Sequence, residues 1–232
     1  MHGSDSIMAG ALTHLAIADR IYLELGNDVI KNLPLFFGGN IAPDAIHAKT
    51  NYQRSDKIRS HLCEGIELYG YGHPKINQLF HNRINKFIEK YYLTAGADRD
   101  LYLGYIIHLL VDELDVFSVC DYIAGLMPIK AKFYRNIADE VKTGVYREFF
   151  TVSSQEYEFN QNIVDVLEAV WDYEVKDYIS INEINTSKRW VIDNIYKSEP
   201  LSKSSINTNC ERVFKFIEYA TDNIIHRISC IL

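Results

Sequence analysis

Apolar residues recur at intervals of three and four along most of the chain, which is the spacing of one face of an α-helix. The first such run covers residues 11–25 and ends at Gly26. Residues 33–47 contain a glycine pair and two prolines, so we expect a loop there. A further helix contains residues 104–114, and Asp98 or Asp100 is its predicted cap. The remaining helices are predicted over 55–70, 74–93 and about 129–149, 155–179, 182–197 and 207–231.

This pattern predicts an all-α fold, a helical bundle in a single domain over residues 1–232. No convincing run alternates apolar and polar positions as a strand would, and neither an internal repeat nor a low-complexity tract is visible. The best linker candidate, residues 197–209, is too short to indicate two domains. Residues 1–7 resemble an expression scar, and the remainder divides into a metal-site half, 8–128, and a helical C-terminal half, 129–232.

Residues 104–114, with the sequence GYIIHLLVDEL, combine a nearly continuous apolar surface with ionisable groups. On a helix, His108, Asp112 and Asp115 fall on one narrow stripe. Such a helix is expected to be buried on most sides, where a carboxylate without a partner is costly. Lys and Arg are absent from residues 100–129, so a local salt bridge is excluded. Either a divalent metal holds these groups, or His108 forms a simple buried hydrogen bond with Asp112.

Other histidines and aspartates of the N-terminal half also lie next to apolar sequence. In chain order they are His14, Asp44, His47 and His61. Taken singly, each has an ordinary interpretation. His14 fits a core residue, Asp44 a helix N-cap in a Pro-Asp turn, and His47 a surface residue, while His61 is ambiguous. Their order along the chain, followed by the histidine and aspartate of the 104–114 segment, favours a shared metal site.

Composition narrows the possible functions. The chain has 24 Lys and Arg against 31 Asp and Glu, so a general affinity for nucleic-acid phosphates is not indicated, whereas an acidic balance suits a protein that binds cations. The four cysteines form no CxxC pair, which indicates a reduced interior. No apolar run reaches membrane-spanning length and no signal peptide is visible, so we expect a soluble, cytoplasmic protein without a transmembrane segment.

Four segments, THLAIADRI, GGNIAPDAIH, KIRSHL and GYIIHLLVDEL, together resemble the zinc-dependent phospholipase C family of bacteria, whose helical fold is shared with fungal single-strand nucleases. The resemblance covers residues 11–118 and is carried by the order and context of the motifs. It implies a first zinc ion held by Asp44, His61, His108 and Asp112. It further implies that Asp112 bridges to a second metal bound in part by His14, and that Asp44 acts as a ligand or as a base for water.

Other ligands of the family have no counterpart here. No tryptophan starts the chain, Ser118 stands where the family has a histidine, and no histidine occurs between His108 and His226. The third metal site is therefore missing or rebuilt from other groups, and we expect one to two ions. The available substitutes are Asp115, Glu113, His47 and His73. We favour Asp115, because its position on the helical stripe points it the same way as His108.

The resemblance and the ligand types predict a metal-dependent hydrolase of phosphoric esters, with zinc, or another divalent metal such as manganese or iron, as cofactor. The family implies a phospholipid substrate, and a small phosphodiester or a nucleotide suits a cytoplasmic protein equally well. One alternative is a degenerate, non-catalytic member of the same fold that binds metal and acts as an interaction protein. Another is an HD-domain-like phosphohydrolase, although the chain contains no His-Asp dipeptide. A catalytic metal keeps an open coordination position, whereas a structural one is closed.

Overall fold

The computed structural model of this protein describes residues 10–66, 74–126, 157–193 and 210–232. Within these ranges the chain forms eight α-helices and no β-strand, so the all-α prediction is confirmed for them. The helices are α1 (Ala11–Val29), α2 (Leu33–Ala45), α3 (Arg54–Ser60), α4 (Pro74–Phe87), α5 (Arg99–Leu126), α6 (Ile163–Glu168), α7 (Ile181–Val191) and α8 (Cys210–Ile228).

Helix α2 occupies the segment that was predicted to be a loop, so that prediction was wrong. Asn32 caps the helix, since its side-chain oxygen accepts a hydrogen bond from the backbone N–H of Leu35 at 3.1 Å. Pro34 lies in the first turn, where its missing N–H has no intrahelical partner to lose, and Pro43 lies near the end of the helix. The glycines serve close packing, Gly39 against another helix and Gly38 against the side chain of Tyr173, which local turn signals do not reveal.

Helices α2 and α5 make the most extensive contact between helices in the described chain. A Cβ atom at Gly39 would overlap the carbonyl oxygen of Leu101, and one at Gly104 would overlap the carbonyl oxygen of Phe36. The two backbones therefore approach each other more closely than residues with side chains would allow. The carbonyl group of Asn40, next to Gly39, reaches the side chains of α5 as a result.

Helix α5 begins at Arg99, close to the predicted start. Asp100 does not cap α5. The carboxylate of Asp100 instead accepts a hydrogen bond from the backbone N–H of Asn32 at 2.6 Å, which fixes the start of α2 to the start of α5. The apolar side chains of residues 101–111 are buried, as expected for a helix that is apolar on nearly all sides.

Helix α1 is buried along its first three turns and packs against α2, α5 and α8. Leu15, Ile17 and Ile21 are among its fully buried side chains. Gly26, with φ of +66°, interrupts the helix where the sequence predicts its end, and a further turn continues to Val29. The glycine signal therefore correctly marks the point at which the regular helix breaks.

Helix α3 is shorter than predicted. The helix expected over 55–70 stops at Ser60, because Leu62 and Gly65 adopt left-handed backbone conformations with φ of +56° and +70°. His61 consequently lies on the turn that follows the helix rather than within it.

In the C-terminal half, α7 and α8 confirm the helices predicted over 182–197 and 207–231 for the residues that are described. The helix expected over 155–179 is wrong for most of its described length. Only Ile163–Glu168 is helical there, between irregular segments, one of which contains a tight turn closed by Val175 and Ile179. Apolar spacing alone did not distinguish these buried loop residues from the face of a helix.

Helix α4 ends at Phe87 and passes into a π-helical turn over Ile88–Tyr92, so the helix predicted to residue 93 is largely confirmed. The predicted helix over 129–149 and the predicted linker over 197–209 lie outside the described residues. Of the helices that are described, none has the length and apolar character needed to cross a bilayer.

We predict that Gly104→Ala destabilises the protein by about 1–3 kcal/mol, because the added methyl group forces the backbones of α2 and α5 apart. The free energy of unfolding, measured by urea denaturation, tests this. Asn85→Ala, on the exposed side of α4, is the control and should change stability by less than about 0.5 kcal/mol. Equal stability of Gly104→Ala and the wild type would contradict the close contact between the helices.

Candidate metal centre

Most of the predicted metal ligands come together, from four separate segments of the chain. His14 lies in α1, and Asp44 lies in the last turn of α2 rather than in the predicted Pro-Asp turn. His61 follows α3, and α5 contributes the remaining two, which are one turn apart. We refer to the following five residues as the His/Asp cluster: His14, Asp44, His61, His108 and Asp112.

The carboxylate of Asp112 contacts three histidines of the cluster. Its Oδ1 is 3.2 Å from Nε2 of His14. Its Oδ2 is 3.4 Å from Nε2 of His61 and 3.4 Å from Nε2 of His108. Asp44 joins the cluster through its Oδ1, which is 3.4 Å from Nε2 of His61. The rings of His14 and His108 stack with their centroids 3.8 Å apart.

The atoms that face one another inside the cluster have no hydrogen-bond partner among the described residues. These buried atoms are Nε2 of His14, His61 and His108 and both carboxylate oxygens of Asp112. A buried polar atom left without a partner costs roughly 1–3 kcal/mol. Because all five atoms point into one small region, a single kind of occupant, a cation, would satisfy them together.

The spacing of these atoms fits a metal ion. Around a tetrahedral zinc ion with bonds of about 2.0–2.1 Å, neighbouring donor atoms are about 3.4 Å apart. The nitrogen–oxygen contacts of the cluster are 3.2–3.4 Å. Two overlapping groups each have their donor atoms within 4.8 Å of one another, namely His14, Asp44 and His108, and His61, His108 and Asp112. The cluster could therefore hold a metal ion.

Hydrogen bonds outside the cluster orient two of its histidines. Nδ1 of His108 donates to the carbonyl oxygen of Asn40 at 2.7 Å. Nδ1 of His61 is 3.0 Å from the carbonyl oxygen of Lys57 and 2.9 Å from the hydroxyl oxygen of Ser60. With Nδ1 engaged in this way, Nε2 of each ring, in its neutral form, carries the lone pair that faces the cluster. Metal-binding histidines are commonly held by such second hydrogen bonds.

Two of the histidines are held in the neutral form. Burial, followed by the charge of Lys57, lowers the pKa of His61 to about 4. Burial, followed by the neighbouring His108, lowers the pKa of His14. For His108, burial is outweighed by Asp112, and the pKa is raised. His14 and His61 therefore need to lose no proton before they bind a metal.

Both carboxylates of the cluster are ionised. Burial alone would raise the pKa of Asp44, but the ammonium group of Lys57 contributes most to holding it well below its usual range. Burial would likewise raise the pKa of Asp112, but His108 and His14 lower it well below the ordinary value for an aspartate. Metal ligands must be deprotonated, so these charges also suit a cation.

One side of the cluster opens to solvent. The side chain of Asp44 is 25% exposed, whereas those of the other four members are almost fully buried. His47 lies beside it, 30% exposed, with Nε2 3.6 Å from Oδ1 of Asp44. Lys57 lies on the same side, with Nζ 2.9 Å from Oδ1 of Asp44 and 3.4 Å from Nε2 of His47. We call these three residues the open edge of the cluster.

Lys57 is the residue that the sequence did not single out. The absence of Lys and Arg from residues 100–129 excluded a salt bridge within that segment, but this cation arrives from another helix. Its only local signal is its position four residues before His61, which places the two on adjacent turns of a helix. That spacing is too common to identify a site by itself.

The residues that could replace the missing ligands of a third metal site differ in where they lie. Glu113 is engaged elsewhere, because it accepts a hydrogen bond from Arg227 at 2.6 Å and lies 2.7 Å from Nε2 of His81. His47 lies at the open edge. The side chain of Asp115, which the helical stripe favoured, lies outside the described part of the structure, as does His73.

We predict that the metal-free protein loses stability as the pH falls from 6.5 to 4. In this range the unfolded chain protonates His61 near its ordinary value of 6.5, whereas the folded chain does so only near 4. His14 acts in the same direction, whereas His108, whose pKa is raised, acts in the opposite direction. Between pH 6.5 and pH 4.5 the loss at His61 amounts to about 2 kcal/mol.

Urea denaturation of chelator-treated protein at pH 6.5 and pH 4.5 measures this loss. His61→Gln should reduce the pH dependence, while His226→Gln, on the exposed side of α8, should leave it unchanged. Stability that is constant or higher at pH 4.5 would show that His61 is not held neutral by burial.

We also predict that His108→Ala lowers the amount of bound metal, because this histidine belongs to both groups of potential ligands. Metal content per chain is measured by plasma mass spectrometry after loading with zinc and desalting. His226→Ala, far from the cluster in sequence and exposed, is the matched control and should retain the wild-type content. Unchanged metal content in His108→Ala would remove this histidine from the site.

Comparison of the chain with known protein families, curated proteins and solved structures gives no match. The argument for function therefore depends on the geometry of the site. Within the described residues, that geometry consists of a buried His/Asp cluster that could hold a metal ion, in a helical protein.

Proposed function

We propose that this protein is a metal-dependent hydrolase of phosphoric esters, with a fold and a metal site of the zinc-dependent phospholipase C type. The observation that carries the proposal is the convergence of buried atoms without hydrogen-bond partners at a site that is open on one side. A purely structural hydrogen-bond network would satisfy these atoms within the protein. The combination of imidazoles and carboxylates favours zinc, with manganese or iron as alternatives.

We assign the first ion to Asp44, His61, His108 and Asp112. The contacts of Asp112 support this assignment, because its Oδ2 faces His61 and His108 while its Oδ1 faces His14. A carboxylate that presents different oxygens to two sets of ligands is suited to bridging two ions. His14 and Oδ1 of Asp112 would then contribute to a second ion, so we propose one to two ions per chain, with Asp115 as a further ligand.

In the proposed reaction, Asp44 and the buried residues behind it have different roles. When bound, a divalent metal lowers the pKa of water and stabilises negative charge on a phosphoryl oxygen. Asp44, ionised and on the open edge, accepts a hydrogen bond from the attacking water and orients it toward phosphorus. The buried side chains behind it exclude other water molecules and hold the ligands in place through Asn40 and Ser60. The ester enters from the open edge.

A small phosphodiester and a phospholipid head group are the substrates that we propose. Both present an anionic phosphoryl group on an accessible ester. The second candidate function is a non-catalytic metal-binding protein that interacts with a partner, and the burial of four of the five cluster residues favours it. The two functions differ in whether the metal keeps a coordination position open to solvent.

We predict that the zinc-loaded protein hydrolyses bis(p-nitrophenyl) phosphate or phosphatidylcholine, and that Asp44→Asn lowers kcat by roughly 10²–10⁴-fold. Release of nitrophenol or of phosphocholine is measured alongside metal content. Asp222→Asn, which removes an exposed carboxylate from α8, is the control and should retain full activity. A zinc-loaded wild-type protein that cleaves neither ester would favour the non-catalytic function, and full activity in Asp44→Asn would overturn the role of Asp44.

A further inference from the structure

The open edge of the His/Asp cluster carries a lysine in an unusual environment. The side chain of Lys57 is only 11% exposed, and lysine is almost never buried to this extent without a charged partner. Its partner is Asp44, at 2.9 Å, and His47 lies next to both. The carbonyl oxygen of the same lysine is 3.0 Å from Nδ1 of His61, so its backbone and its side chain both contact cluster residues or their neighbours.

We infer that Lys57 is a substrate-binding residue whose ammonium group holds an anionic phosphoryl oxygen at the open edge, and this inference rests on the proposed function. Although the lysine is itself largely buried, its ammonium group contacts Asp44 and His47, which are the partly exposed residues of the site. We expect an ester that enters past Asp44 and His47 to come within reach of this ammonium group, because both residues contact it. A charged hydrogen bond to a phosphoryl oxygen is a usual role for lysine.

The charges of the site lead to the same conclusion. One divalent cation balances the two carboxylates of the His/Asp cluster, which leaves the site without net charge. Lys57 then makes the site positive, although the chain as a whole carries a net charge of −7 and repels anions at long range. Without this lysine, an anionic ester would gain little electrostatic attraction from a singly occupied metal site.

Neighbouring side chains surround the ammonium group of Lys57. His47 lies 3.4 Å from the ammonium group, and Tyr52 packs against His47 with ring centroids 4.7 Å apart. Lys49 does not compete for Asp44, because it pairs with Asp56. A placed cation of this kind selects esters that keep an ionised phosphoryl oxygen. We therefore infer that diesters and monoesters are preferred over neutral phosphotriesters.

Binding of inorganic phosphate to the zinc-loaded protein tests the inference without requiring turnover. Isothermal titration calorimetry is performed on the wild type, on Lys57→Gln, which keeps a hydrogen-bond donor but removes the charge, and on Lys57→Arg, which keeps the charge. We expect phosphate to bind roughly 10- to 100-fold more weakly to Lys57→Gln, and most of the affinity to return in Lys57→Arg. Lys86→Gln, on the exposed side of α4, is the control and should bind as the wild type does.

The remaining outcomes distinguish the two proposals. Equal phosphate affinity in Lys57→Gln and the wild type, or no phosphate binding by a wild type that holds zinc, would overturn the role of Lys57 and leave the proposed metal site standing. Loss of zinc from Lys57→Gln but not from Lys57→Arg would also overturn it, because the lysine would then stabilise the cluster instead of binding the anion. A wild type that takes up no zinc would overturn the proposed function, and this inference with it.

Discussion

The buried carboxylate of Asp112 is the constraint on which this part of the molecule depends. It lies on a helix that is apolar on nearly all sides, where an ionised group requires partners. Its helix supplies one of them, His108, and the others must come from distant parts of the chain. His14 and His61 provide contacts from α1 and from the turn after α3. The need of the Asp112 carboxylate for partners thus accounts for the way α1 and the turn after α3 meet at α5.

The contact between α2 and α5 makes this convergence possible. Gly39 and Gly104 allow the two backbones to touch, and the carbonyl group of Asn40 then reaches His108. The same approach brings Asp44, at the end of α2, to the edge of the cluster. The contact between these two helices has no chemical role of its own, but it sets the distances between side chains of the cluster. A metal site would need those distances to be set closely.

Exposure and charge are distributed unevenly around the cluster, and this asymmetry carries the functional argument. Four of its residues are buried against the core, while Asp44 and His47 are partly exposed and the largely buried Lys57 contacts both of them. Under the proposed function, the partly exposed carboxylate and the lysine beside it would both contact an anionic ester that approaches a bound metal.

The sequence by itself determined the all-helical class and the residue types of the cluster, because apolar periodicity and the placement of His and Asp within apolar runs are local properties of the chain. It could not show that residues 33–45 form a helix, since Gly39 there acts through contact with α5 and Gly38 through contact with the side chain of Tyr173. It also missed Lys57, because the partner of a buried charge is chosen by proximity in space and leaves no mark at a fixed spacing along the chain. Which histidines meet which carboxylate oxygen, and which side of the site is open, were decided only by how the helices pack.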